Sequence, residues 1–358
     1  MIEEIRQAGP ISIARFMDLA LSHPTLGYYA RHDPLGAGGD FVTAPEISQV
    51  FGEIVGLWLA RAWIEIGRPD PCLVVELGPG RGTLMADLLR AAAQVPGFRA
   101  ALRLHLVETS ERLRALQRAH LAGETVRWHA TLEEVPPGPM LLVANEFLDA
   151  LPVHQLVATE RGWVERLVNL AGTDLVFTLS DRPSRLAEGL PAPDRALGQI
   201  AEVSPRRGEI VFAIGRRLAA DGGVALLVDY GAWAEVSGDT LQAVRDHASW
   251  PVLSTPGEAD LSSHVDFRTL AEAACAAGAA VYGPVPQGPF LRAMGIDLRI
   301  ARLLERATPG QRRELRAALF RLTDGGAMGE LFKVLALARP GAPPPPGFTA
   351  ATLTPEQP

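Results

Sequence analysis

The chain has 358 residues, 47% hydrophobic, 21% charged and 6% aromatic, with 34 Lys plus Arg against 41 Asp plus Glu and a net charge of -7. This is globular composition for one large domain with insertions or two modest ones, and the acidic balance is the wrong sign for wrapping a phosphate backbone, so no nucleic-acid partner is expected. Lys333 is the single lysine and Cys72 and Cys275 the two cysteines, which leaves almost no place for a Schiff-base lysine, a GxxxxGK phosphate loop, a disulfide framework or a CxxC metal site.

The start, Met1-Ile-Glu-Glu-Ile-Arg, carries no apolar h-region and no Arg/Ser-rich transit stretch, and no apolar run approaches the roughly 20 residues of a membrane span. A cytoplasmic protein without a membrane span is expected. Residues 1–30 place apolar side chains at helical spacing and end in a turn at 23–29; a Gly/Asp/Pro-rich loop then leads into a long helical pattern over 46–66. Residues 1–66 thus read as a helical region with an active-site loop. From Cys72, short apolar runs (73–77, 102–107, 126–128, 140–144, 224–228, 280–282, 331–338) alternate with helical patterns (83–93, 111–120, 206–219, 266–278), the signature of a parallel sheet covered on both faces. This predicts an α/β core over 67–338, interrupted by an antiparallel insertion at about 152–200 and a helical one at about 288–323. The tail from 339, with four prolines at 343–346, is expected to be disordered.

The sharpest motif is Val74-Val-Glu-Leu-Gly-Pro-Gly-Arg-Gly-Thr83, a buried strand, a glycine turn and a helix start. Gly78, Gly80 and Gly82 let the chain bend and let a ligand approach main-chain N–H groups. Glu76 decides the ligand class: a carboxylate behind the turn repels a pyrophosphate, whereas S-adenosylmethionine (SAM) offers an ammonium and a sulfonium and no phosphate. The GxGxG spacing also departs from the GxGxxG of dinucleotide sites. Glu108, at the tip of the next strand, is placed to accept two ribose hydroxyls, although stabilising the following helix is an alternative role.

The fourth strand runs into Asn145-Glu-Phe-Leu-Asp149, an amide and two acids at another strand tip. Methyl transfer to nitrogen needs an acceptor lone pair aimed at the methyl, and carboxylates can anchor and polarise a guanidinium for this. Glu146, Asp149 and, from the 38–46 loop, Asp40 are the candidate catalytic residues; Glu76, Gly78, Gly80, Gly82, Glu108, Thr131, Leu132 and Asn145 are the candidate cofactor contacts. Capping a short helix is the alternative for Asp149, pairing with an arginine for Glu146, and turn formation or helix N-capping for Asp40 and Glu46. Asp229-Tyr-Gly231 is expected as a second loop able to close over the pocket. His264 stands among acids that could raise its pKa, with helix capping by its neighbours the simpler reading. The eight histidines form no ligand pair, so no metal is expected.

The segments 39–53, 75–82, 145–153 and 227–231, with 238–242, 260–267, 287–291 and 328–333, resemble the MidA family over about residues 9–338. That family groups bacterial SAM-dependent methyltransferases with a mitochondrial assembly factor for respiratory complex I. The resemblance implies a class I, Rossmann-like methyltransferase fold with an N-terminal helical region and inserted segments, and a protein arginine as methyl acceptor, with symmetric dimethylation of a complex I subunit as the mitochondrial precedent. It implies that Glu76 and the three glycines hold the methionine end of SAM, Glu108 the ribose, and that Asn145 and Glu146 lie at the pocket mouth. Where relatives carry an acid toward the adenine, this chain has His129-Ala-Thr131, which shifts that contact to backbone or Thr131. The alternatives are an assembly protein that binds SAM without turnover and an NAD-dependent oxidoreductase, the latter disfavoured by Glu76 and the glycine spacing.

Overall fold

The structure is a computed structural model and describes residues 1–31, 42–188, 190, 197–233 and 238–355. Ser12 opens α1 (Ile13–Ser22) by accepting the Arg15 N–H at 3.0 Å. The helix expected over 46–66 is broken: a short turn of helix, Ala44–Ile47, stops where Ser48 turns extended (φ -162°) and caps α2 (Gln49–Glu65) through the Val50 N–H. A serine hydroxyl that satisfies an orphan N–H outweighs continued helix at that point.

The alternating region follows as β1 (Cys72–Leu77), α3 (Thr83–Ala92), β2 (Leu102–Val107), α4 (Glu111–His120), β3 (Val126–His129) and β4 (Met140–Asn145). Next come β5 (His154–Thr159), β6 (Gly162–Ala171), β7 (Asp174–Pro183) and β8 (Ile200–Val203), then α5 (Pro205–Asp221), β9 (Gly223–Ala232), α6 (Phe267–Ala276), β10 (Ala280–Pro286), α7 (Ile296–Arg306), α8 (Pro309–Thr323) and β11 (Phe332–Ala338). The main sheet runs in the order β10-β11-β9-β4-β1-β2-β3, with β11 antiparallel to both neighbours and the other pairs parallel. Side chains alternate across it. Val74, Leu104, Leu141 and Leu226 pack with Trp58, Met85 and Leu88 on one face, while Val75, Leu142, Ala225 and Leu335 pack with Val211, Ile214 and Leu270 on the other.

Strands β5 to β8 build a separate antiparallel sheet in which Ile11 and Ser12 pair with Val168 and Leu167 of β6 on the side opposite β7. The N-terminal arm is therefore stitched to the insertion, around a core that includes Phe16, Met17, Val153 and Val168. In the helical insertion, Arg299 of α7 donates to both Glu53 carboxylate oxygens of α2, at 2.7 and 3.2 Å.

The expectation of a disordered tail is overturned for residues 339–355. Phe348 is buried against Phe290 and Tyr282, the Pro346 carbonyl accepts the buried Trp58 indole N–H at 2.7 Å, and Leu353 bridges Val281. Prolines donate no backbone hydrogen bonds, but their carbonyls accept and an aromatic among them can still be buried. Deleting residues 340–358 is expected to cost about 2–4 kcal/mol, one phenyl side chain and one buried hydrogen bond. Urea denaturation checks this, and an unchanged midpoint would show that the tail anchors nothing.

Candidate functional site

From β1 the chain passes outward through β2 to β3, then returns to β4 on the other side and continues to β9. The carboxyl ends of β1 and β4 therefore flank the topological switch point, where open α/β sheets bind ligands. The glycine turn leaves β1 at this point. Gly78, Gly80 and Gly82 all adopt left-handed backbone, with φ of 62°, 52° and 85°. At Gly78 a Cβ would also lie 2.6 Å from the Phe147 ring, so both conformation and space demand glycine.

Glu76 lies in β1 at 4% exposure, and its Oε2 has no hydrogen-bond partner. Burial alone pushes its carboxyl up to about 8. A buried acid without a partner beside a glycine turn has the chemistry to receive a cation such as the ammonium of an amino-acid ligand. At the tip of β2, Glu108 accepts the Ser110 N–H through Oε1 at 2.8 Å and the Gln117 amide through Oε2 at 3.4 Å. Burial raises its pKa, and these bonds counter the rise. Helix capping falls instead to Ser110, whose hydroxyl accepts the Leu113 N–H and donates to the Tyr29 carbonyl.

Beyond β4, Glu146 stands in left-handed backbone (φ 49°), unusual for a residue with a side chain, with its N–H on the Val228 carbonyl. Its Oε1 accepts the Ala44 N–H at 2.8 Å and the Asn145 amide at 3.1 Å, which ties the end of the 38–46 loop to this turn. Burial raises its carboxyl to about 7, with the two hydrogen bonds working against the rise and Asp149 adding to it. Asp229 accepts the N–H groups of Leu148 and Asp149 through one oxygen, at 2.9 and 3.2 Å. Asp149 keeps an unpartnered Oδ1, as does Asn145. Burial raises both Asp149 and Asp229. Among the described residues no ion pair joins any of these three acids to a basic side chain. Arg207 is buried nearby, but its guanidinium donates to the carbonyls of Leu148, Asp149, Ser263 and His264 and to the Ser263 hydroxyl.

The strand tips thus bring together Glu76, Gly78, Gly80, Gly82, Glu108, Asn145, Glu146 and Asp149. Asp40 lies outside the described residues. Thr131 is exposed, whereas Leu132 buries its side chain in the core and its carbonyl accepts from Arg217 and from the Val135 N–H. Asp229-Tyr-Gly231 is not a closing loop: these residues extend β9, pairing with Lys333, Phe332 and Val265, and the two flanking strands fix them. Glu46 caps no helix but accepts the Thr83 hydroxyl at 2.5 Å. His264 is lowered by burial rather than raised, while the Asp266 carboxylate caps α6. Sequence reading missed Gln117 and Arg207, since an amide or an arginine within an amphipathic helix carries no signal of the carbonyls it will meet. Among the described residues, no cluster of three His, Cys, Asp or Glu is placed to hold a metal ion.

Residues 54–285 match the family described as "Putative S-adenosyl-L-methionine-dependent methyltransferase". The zebrafish (Danio rerio) protein arginine methyltransferase NDUFAF7, mitochondrial, is 38% identical, the match spanning 93% of this chain and 84% of that protein. The chain belongs to this family of SAM-dependent methyltransferases. The human relative of the same name is 36% identical over 94% of this methyltransferase and 82% of its own length. A Burkholderia thailandensis protein crystallised with S-adenosyl-homocysteine superposes with a TM-score of 0.81 at 31% identity, covering 98% of this chain and 92% of that one. The Rossmann-like class I fold, SAM as cofactor and methyl transfer as the reaction follow from this membership, and binding without turnover and NAD chemistry are set aside.

Proposed function

We propose that this methyltransferase methylates a guanidinium nitrogen of a protein arginine. The observation that carries this reading is the group of buried acids at 146, 149 and 229, whose direct hydrogen-bond partners are neutral and whose proton affinities are raised by burial. The buried Arg207 guanidinium acts on Asp149 and Asp229 through its charge but spends its N–H groups on carbonyls and a hydroxyl, so the acids keep acceptor capacity for a second cation, and arginine presents one in a planar fork matched to carboxylates. The names of the relatives point to the same acceptor.

Bound SAM supplies an electrophilic methyl and leaves as S-adenosylhomocysteine with the electron pair of the broken carbon–sulfur bond. In this reading Glu76 holds the ammonium, the glycine turn lies against the methionine end, Glu108 takes the ribose hydroxyls, and the main chain at 131–132 faces the adenine. Asp149 fixes the guanidinium. Glu146 aims one of its nitrogens and accepts the proton that the nitrogen sheds on methylation, a task suited to a carboxyl near neutrality.

Incubating the protein with methyl-tritiated SAM and a cell extract, followed by acid hydrolysis and amino-acid analysis, tests the acceptor. Label is expected in methylated arginine. Label confined to lysine, to carboxyl esters or to small molecules would overturn the reading.

A further inference from the structure

Gln117 lies on α4 with no exposed surface, yet its amide touches three separate parts of the cofactor side. The Nε2 donates to the Gly80 carbonyl at 2.8 Å and to Glu108 Oε2 at 3.4 Å, while Oε1 accepts the Trp128 indole N–H from β3 at 2.9 Å. The helix is also close to the turn at this residue, since a Cβ on Gly82 would stand 3.6 Å from the Gln117 Cα. An indole N–H donates and never accepts, so Trp128 fixes which end of the amide is oxygen and thereby presents both N–H groups to Gly80 and Glu108.

We propose that Gln117, oriented by Trp128, is a positioning residue that sets the Glu108 carboxylate for the ribose and locks it in register with the glycine turn. This rests on the reading of Glu108 as the ribose acceptor. Glu108 Oε1 is engaged by the Ser110 N–H, so the amide of Gln117 is what sets the second oxygen. Glu108 is buried, and a carboxylate there would otherwise rotate or take up a proton. The same amide caps a carbonyl of the left-handed turn, so a shift of one ligand surface is passed to the other.

The test is titration calorimetry of the whole protein with S-adenosylhomocysteine and its 2′-deoxy and 3′-deoxy analogues. Wild type is expected to bind the parent compound at least tenfold more tightly than either analogue. Gln117→Leu is expected to weaken the parent on the order of 10- to 100-fold and to bring its preference over the analogues close to one. A merely structural role would weaken all three ligands in parallel and keep the preference, and that result would overturn the proposal. If wild type itself shows no preference, the reading of Glu108 fails and the proposal with it.

Gln117→Glu, which keeps the shape, guards against a folding defect. Its introduced carboxyl repels Glu108 when ionised and donates when protonated, so affinity for S-adenosylhomocysteine should recover as pH falls from 8 to 5.5. A pH profile parallel to that of wild type would also overturn the proposal.

Discussion

Glu76→Gln is expected to weaken S-adenosylhomocysteine binding by at least 100-fold while removing a pH-dependent loss of stability from the ligand-free protein. The cause of both effects is the same buried oxygen. Glu76 sits in the middle layer of the sheet with Oε2 unpartnered, and burial holds its carboxyl at about 8. In the unfolded chain the same carboxyl titrates near its ordinary value of 4.5. The folded state therefore holds the proton more tightly, and stability is fully present below the unfolded value and is lost as pH rises toward 8. The slope from this one group approaches about 1.4 kcal/mol per pH unit. Urea denaturation at pH 5 and pH 8 should show that loss in wild type and a shallower one in Glu76→Gln. Saturating S-adenosylhomocysteine should offset the loss in wild type, because its ammonium supplies the charge that the sheet withholds. A variant that keeps ligand affinity would remove Glu76 from the cofactor site; a variant with the wild-type pH slope would remove it as the source of the instability.

Much of this site was legible because strand tips are legible. Glu76, Glu108 and Asn145 each follow a short apolar run, and β-strand periodicity places the end of such a run at the carboxyl edge of a parallel sheet. Glycines at 78, 80 and 82 signalled the left-handed turn, since side chains are disfavoured there. What stayed hidden depends on pairings between distant segments. Asp229-Tyr-Gly231 looked like a loop because an acid and a glycine are poor strand formers, but β11 returns antiparallel and holds those residues in the ladder. The tail looked disordered for its prolines, and the burial of Phe348 against Phe290 is a contact across nearly sixty residues that no local pattern records. Arg207 offered no motif, yet five hydrogen bonds from one guanidinium join the turn at 148–149 to the segment 263–264. Sequence periodicity specifies which face is buried; it does not specify which carbonyls are left to be satisfied.

The acceptor side yields the second large effect. Methyl transfer to the arginine acceptor found by labelling is expected to rise about tenfold per pH unit below about 7 and to level off above it, because Glu146 must be ionised to orient the guanidinium and take its proton. Its carboxyl stands at about 7 chiefly through burial, and the Ala44 and Asn145 donors keep one oxygen fixed without neutralising the charge. Glu146→Gln preserves the shape and accepts the Ala44 N–H, but it neither carries charge nor accepts a proton. Turnover should therefore fall by at least 100-fold and lose its dependence on pH around 7, while the affinity for S-adenosylhomocysteine stays within about threefold, losses in the range that a general base contributes. Single-turnover rates from pH 5.5 to 8.5, paired with calorimetry, separate the two readouts. Intact turnover in Glu146→Gln would move the acceptor chemistry away from this turn. A matching loss of ligand affinity would assign Glu146 to the cofactor, and the acid left to receive the proton would then be Asp149, whose buried Oδ1 has no hydrogen-bond partner.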